Sequence, residues 1–415
     1  MASPAEEPLE PTSRRTFLKI GIAGGVTAGG LGIGWWIKNR GNDSNGSSPF
    51  TELVRFIDSA IEEKTVPGAA IHVTHRGIKV FDRHWGTYCG RDRRDVPFDA
   101  EVSNMLYSVS KFLTSTVVIM AKQAGLVDYD APVSMYVPEF QGGARDEVTI
   151  RHCLTLASGM PSFPLGSLST DDLWKAGLKR VCESEPRWKP GSKSEYHNIV
   201  GHLLAAECVR RRAGMRSWTA ICKEFLFDPI GAASLTFELP PATVPLALTP
   251  QPEKLPATVP GFEDFSAGHP GAGAIGTLDD VAKVVKLHMQ EGRWEGKQLI
   301  DPALIREAHT VQYAKEILAV QLKGTKAEHK SWGLGVLLRG DGPDDPGYRD
   351  YGFDGRTFPG VFGQNGISVI MTVADPSISA AVVFLTTDSP KPATRTADLW
   401  NGVTERAFKA VEQLG

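Results

Sequence analysis

The sequence predicts an α+β fold: an antiparallel sheet flanked by helices, with a helix-rich insert at about residues 125–260. Three observations carry that expectation. Strand-like apolar runs occur only early and late in the chain, amphipathic helical segments stand at both ends, and the middle third is helical in pattern. A sheet encoded this way is built from both ends of the chain, with the insert over one mouth. Composition agrees with a globular protein: 415 residues, 41% hydrophobic, 22% charged, net charge −3. The balanced charge, without a basic stripe interleaved with aromatics, excludes the electrostatic footprint of a nucleic-acid binder.

Taken in order, the chain opens with Ser13-Arg14-Arg15-Thr16-Phe17-Leu18-Lys19 before an apolar, glycine-rich run from Ile20 to Ile37. A twin arginine before a modestly hydrophobic segment reads as a twin-arginine export signal. The run is just long enough to span a bilayer, but its glycines make it a weak anchor. No clean small-x-small cleavage site follows. The expectation is therefore a bacterial protein exported to the periplasm, either cleaved there or left as a membrane-tethered form on the outer face of the plasma membrane. Gly41–Ser48 is a flexible linker by composition. Residues 1–48 are read as signal and linker, and 49–415 as the folded domain.

Phe50 to Glu63 has a helical apolar period that Pro67-Gly68 breaks. Ala69–His75 and Lys79–Phe81 flank Arg76-Gly77-Ile78 as a β-hairpin. A long apolar helix begins near Leu106 and stops near Gly125. Another starts at Val148 and ends at Ser158-Gly159. Segments 171–182, 199–213 and 217–227 are helical, whereas Pro240 to Pro260 is proline-rich loop. Leu278 to Gln290 reads as an amphipathic helix capped by Thr277, with Asp279 and Asp280 in its first turn. Gly333–Leu338, Gly366–Val373 and Ala380–Leu385 read as strands, and Thr394 to Leu414 as a closing helix. The five cysteines, Cys89, Cys153, Cys182, Cys208 and Cys222, form neither a disulfide framework nor a zinc pattern, and read as buried small hydrophobes, with a single disulfide pairing left open.

Chemistry concentrates at Ser108 and Lys111. Standing three apart where a helix begins, they share one face at its positive end. A serine hydroxyl is a poor nucleophile until a neighbouring base takes its proton, and a desolvated lysine can be that base. Alone, the pattern is near chance level, and a capping serine beside a snorkelling lysine would explain it. Tyr196-His197-Asn198 adds a hydroxyl that can move protons and an amide that can orient a substrate carbonyl. Gly271-Ala272-Gly273-Ala274-Ile275-Gly276 matches a dinucleotide-binding glycine pattern but lacks the preceding strand. No phosphate loop and no paired-histidine metal motif occurs, so no cofactor and no metal is implied.

With Ser108-Val109-Ser110-Lys111, Leu126–Val133, Thr149–Met160, Pro190-Gly191, Tyr196-His197-Asn198, Phe227–Gly231 and Gly273–Asp280 in that order, the sequence resembles the serine β-lactamase and penicillin-binding-protein-like family, in its class C β-lactamase, esterase and D-aminopeptidase branch. The resemblance runs from about residue 50 to the C-terminus and implies a β-lactamase/transpeptidase-like fold. It implies that Ser108 is acylated, that Lys111 and Tyr196 transfer protons, and that Asn198 contacts substrate. The family's third motif has two competitors. His269-Pro270-Gly271 matches by letters, but Gln364-Asn365-Gly366 stands in the family's context and is preferred. Gln364 and Gly366 are thus expected at the substrate, and the backbone N–H groups of Ser108 and Ile367 as oxyanion donors. Gln364 departs from the cationic or titratable residue usual there, as Leu156 departs from a frequent histidine. The implied activity is hydrolysis of an ester, a β-lactam or a D-amino-acid peptide through an acyl-enzyme. The alternative is a catalytically weak cell-wall-binding protein of the same fold. A small molecule or peptide is the expected partner; oligomeric state is not encoded in any motif.

Overall fold

The computed structural model describes residues 48–161, 173–195, 200–248, 268–312, 331–339, 353, 358, 360–367 and 369–415. The twin-arginine segment, the linker up to residue 47, Tyr196 and Asn198 lie outside them. In the first part of the chain come helix α1 (Thr51–Glu62), strands β1 (Gly68–His75), β2 (Ile78–Cys89), β3 (Asp95–Pro97) and β4 (Ser103–Met105), and helix α2 (Val109–Gln123). The middle supplies α3 (Ile150–Leu154), α4 (Leu178–Cys182), α5 (Val200–Arg212), α6 (Trp218–Cys222) and β5 (Leu246–Ala247). The last part supplies β6 (Ile275–Gly276), α7 (Leu278–Met289), β7 (Arg293–Trp294), β8 (Lys297–Gln298), α8 (Pro302–Ala308), β9 (Ser331–Trp332) and β10 (Leu337–Leu338). It ends with β11 (Phe362–Gly366), β12 (Ile370–Asp375), β13 (Ala380–Thr386) and α9 (Arg395–Glu412).

The main sheet has the order β3-β2-β1-β13-β12-β11-β10-β9, and every neighbouring pair is antiparallel. As the sequence predicts, its two halves come from the two ends of the chain, meeting where β1 pairs with β13 from Ala69↔Thr386 to His75↔Ala380. Both faces of these central strands are covered, so their side chains are apolar without strict alternation. On one face Ile71, Val382 and Phe384 pack with Leu53 and Ile57 of α1 and Trp400 and Phe408 of α9. On the other, Ala70, Val383 and Leu385 join a second core around Phe112, Leu113 and Val117 of α2 and Val284 of α7. Helix α2 therefore lies between sheet and insert, and an all-round apolar helix is what such a position selects.

The structure also revises several elements. β2 runs to Cys89, far beyond the expected Phe81: one place in from the sheet edge and largely uncovered, it accommodates the consecutive polar residues Asp82, Arg83 and His84. The expected strand 366–373 is two strands, β11 and β12, reversing at Ile367, whose φ is +30°. The expected strand 333–338 is a tight hairpin between β9 and β10. There Gly335 (φ +73°) lies against α2 so closely that a Cβ would sit 1.7 Å from Ser115 Oγ. Helix α3 is shorter than expected; Thr149 and His152 cap it reciprocally. Segments 173–177 and 223–227 are π-helical turns rather than continuous α-helix. Thr277 stands at the start of α7 but makes no capping bond, its hydroxyl lying 3.0 Å from Ser234 Oγ instead. All five cysteines are buried, and none forms a disulfide.

Candidate active site

The approach to Ser108 is pinned on both sides. β4 pairs with β6 through Asn104↔Gly276 and Met105↔Ile275, and the Leu106 N–H then donates to Ala274 O at 2.9 Å. Tyr107 follows with φ +46°, a left-handed conformation that costs a non-glycine residue about 1–3 kcal/mol. Its side chain is buried. Burial and the turn bonds Val109 N–H to Leu106 O (3.0 Å) and Ser110 N–H to Tyr107 O (2.9 Å) hold that conformation. Ser108 occupies the N-cap position of α2, but its side chain makes no capping hydrogen bond. The bland explanation of the serine, a helix cap, is therefore not what the hydroxyl does.

The hydroxyl faces Lys111 instead. Lys111 is 0% exposed, and its Nζ donates to Ser108 Oγ at 3.0 Å and to Gly271 O at 2.8 Å. Burial strips this amine of water, and the two oxygens replace part of its hydration. The neighbouring polar residues of α2 are also bound. Ser110 Oγ accepts from Ala274 N–H at 2.9 Å, and Thr114 Oγ1 donates to Pro270 O at 2.6 Å. Thr116 Oγ1 donates to Phe112 O and lies 2.9 Å from His288 Nε2, while His288 Nδ1 is 3.0 Å from His309 Nε2. Burial holds His309 at about 3 and His288 well below the usual imidazole range, the charge of His309 adding to the second shift.

Opposite the helix start, β11 brings Gln364 and Gly366. Gln364 is 1% exposed, and its Nε2 donates to the backbone carbonyl of Ser108 at 3.0 Å. Its backbone N–H is met by Thr372 Oγ1 at 2.8 Å, and its Oε1 is buried without a partner among the described residues. The side chain expected to touch substrate thus braces the serine's own peptide. Gly366 lies against the Ser108 approach, since a Cβ there would be 2.7 Å from Leu106 O and 2.9 Å from Tyr107 Cβ. Ile367 comes next, left-handed and 56% exposed. A β-branched residue at positive φ is strained, and such strain persists where the surroundings impose it.

Among the described residues the structure thus joins Ser108, Lys111, Gln364, Gly366 and Ile367 at one place. Leu156 is buried at φ +60°, and its carbonyl accepts from Glu195 N–H at 3.2 Å, just ahead of Tyr196 in the sequence. Sequence reasoning gives the segment from His269 to Ala274 no role at the site, since His269-Pro270-Gly271 ranks behind Gln364-Asn365-Gly366 as the third motif and Gly271–Gly276 is only a dinucleotide-like pattern without its strand. Four of its backbone groups bind α2 or the residues before it. The signal was present in the run of Ser110, Lys111 and Thr114, polar residues on an otherwise apolar helix that need acceptors or donors when buried.

The β-lactamase family model matches residues 53–403, and the chain belongs to that family, the serine β-lactamase and penicillin-binding-protein-like proteins. The chain is 26% identical over 198 residues to an esterase/beta-lactamase, LipL, of Mycobacterium tuberculosis, covering 47% of this chain and 45% of that protein. It therefore aligns with about half the length of the curated relatives it matches. A penicillin-binding protein homologue from Caulobacter crescentus superposes with a TM-score of 0.68 at 21% identity, covering 87% of this chain and 97% of the other. A family VIII carboxylesterase superposes with a TM-score of 0.67 at 21% identity over the same shares. At these identities the superpositions establish the β-lactamase/transpeptidase-like fold.

Proposed function

We propose that the protein is a serine hydrolase that works through an acyl-enzyme at Ser108. The observation that supports this most directly is the fully buried Lys111 with Nζ 3.0 Å from Ser108 Oγ, at the start of a helix whose serine does not cap it. In this reading Lys111, with Tyr196, takes the Ser108 proton as Oγ attacks a carbonyl carbon. The proton then passes to the departing alcohol or amine. Water, deprotonated by the same groups, attacks the ester carbon, and Oγ leaves with a proton. The N–H groups of Ser108 and Ile367 stabilise the oxyanion, and such a donor is worth about 10²–10³ in rate. Asn198 and the Gly366–Ile367 edge receive the substrate.

Substrate class follows from Gln364. A neutral, buried amide given to Ser108 O supplies no charge to balance a substrate carboxylate. An ester or a peptide is therefore favoured over a β-lactam, in keeping with the esterase half of the name carried by the mycobacterial relative. The N-terminal twin-arginine pattern supports a location outside the plasma membrane, in the periplasm or tethered to the membrane face.

The test is intact-mass spectrometry after a fluorophosphonate and, separately, a penicillin. One fluorophosphonate adduct on the parent and none on Ser108→Ala is expected. No adduct on the parent, or the same adduct on Ser108→Ala, rejects the reading. Peptidoglycan retention unchanged by Ser108→Ala, with no ester turned over, would support the cell-wall-binding alternative.

A further inference from the structure

We infer that His269 is a positioning residue for Lys111: it folds residues 269–273 so that the Gly271 carbonyl faces the amine and fixes where its hydrogens and lone pair point. The inference rests on the reading of Ser108 and Lys111 as the acylation pair. Three consecutive backbone N–H groups converge on this one residue. Gly271 N–H donates to His269 Nδ1 at 2.9 Å, and Ala272 N–H and Gly273 N–H donate to His269 O at 3.0 Å and 2.7 Å. With these donors turned inward, the carbonyls of Pro270 and Gly271 are left for α2. Pro270 O takes the Thr114 hydroxyl and Gly271 O takes Lys111 Nζ.

The chemistry requires a neutral imidazole. Nδ1 accepts the Gly271 N–H through its lone pair, so the ring proton sits on Nε2; an imidazolium has only donors and could not make this bond. His269 is 2% exposed, and burial, with the charge of Lys111 beside it, lowers it to about 3. The Gly271 carbonyl in turn can only accept. It therefore draws one Nζ hydrogen to itself and, when the amine is neutral, leaves the lone pair free for the Ser108 hydroxyl. Without that carbonyl in place, residues 269–273 no longer orient the amine toward Ser108, and its function as base falls.

Three variants separate this role from general support of the fold. In His269→Asn, Oδ1 stands on Cγ where Nδ1 stood and accepts the same N–H. In His269→Gln the acceptor is one bond too far, and in His269→Leu there is none. His269→Leu and His269→Gln should lose about 10- to 100-fold in kcat for a p-nitrophenyl ester, with KM within about threefold, as expected for a base displaced by a fraction of an ångström to about 1 Å. His269→Asn should stay within about threefold of the parent in both. Crystal structures of the Leu and Asn variants give a readout independent of turnover. The Lys111 Nζ to Gly271 O contact should be lost in the first and kept in the second. Equal kcat in the parent and Leu variant, equal loss in Asn and Leu, a loss confined to KM, or an intact contact in the Leu variant each overturns the proposal. An unlabelled parent in the fluorophosphonate experiment rejects the hydrolase reading instead, and the two crystal structures still decide the positioning.

Discussion

The two sides of the Ser108 site are held by different physics. On the helix side, Ser110, Lys111, Thr114 and Thr116 are all buried, and each has a hydrogen-bond partner. On the strand side, the Gln364 amide makes one bond, its Oε1 makes none among the described residues, and Ile367 is exposed in a strained conformation. One wall is fixed by saturated polar contacts; the other is fixed by close packing at Gly366 and by strain. A buried polar network tolerates little change because an unpaired member costs its full desolvation. A packed, strained edge can accept other residues so long as the backbone path survives. This difference bears on position 364, where Gln364 departs from the residue the family resemblance leads one to expect, while Ser108 and Lys111 match it.

The comparison can be broken first at Lys111. Lys111→Met keeps volume and removes the amine, so ester turnover should fall by about 10²–10⁴-fold, the range of a general base. A thermal melt should still show a folded state, with a lowered midpoint because Gly271 O loses its buried donor. At Gln364 two substitutions should diverge. Gln364→Glu sets a buried carboxylate against Ser108 O and should lower unfolding free energy by about 3 kcal/mol or more in urea titrations. Gln364→Met loses one hydrogen bond but also removes the unpartnered Oε1, so it should change stability by about 1 kcal/mol or less. An equal cost for both would mean that the strand side is as saturated as the helix side.

Acid should weaken the helix side, where His269 and His288 are bonded, before the strand side. Buried His269 and His309 are held at about 3, and burial holds His288 well below the usual imidazole range, against about 6.5 in the unfolded chain. Above that value both states are neutral at these positions and nothing is lost. As pH falls through it, the unfolded chain takes up protons that the folded one refuses, so stability declines down to the folded values. Urea midpoints from about pH 7 to about pH 5 should show this decline, and His309→Phe should make it shallower. The smallest effect belongs to Ile367→Gly. Relief of positive φ should leave stability within about 1 kcal/mol of the parent, while a looser N–H reduces the acylation rate. An unchanged rate would remove Ile367 from the oxyanion site.

Much of this fold was legible locally. The expected helices at 50–63, 278–290 and 394–414 match α1, α7 and α9 closely, because amphipathic period and terminal residues are written into short windows. The pairing of the chain's two ends also followed from where strand patterns lie. The reversal at Ile367 was not legible, since an isoleucine at positive φ contradicts its own propensity and is imposed by the packing of Gly366 on Leu106 and Tyr107. Likewise, Ser108 and Lys111 could be picked out by spacing, but not their bonds to 269–274. Those partners stand about 160 residues away, and no local pattern records which buried hydroxyl meets which carbonyl.

The pairing of β1 with β13 also sets an order of events during synthesis. A ribosome delivers β1 and the Ser108 helix early, but the strands that complete the sheet, β11 to β13, emerge only near the end. Contacts so distant along the chain close slowly. A growing chain cannot brace Ser108 through Gln364 or present the Ile367 N–H, because neither residue has yet been made. On the proposed reading, reactivity at Ser108 is thereby tied to the arrival of β11, and a truncated product ending before β11 would carry Ser108 and Lys111 without that wall.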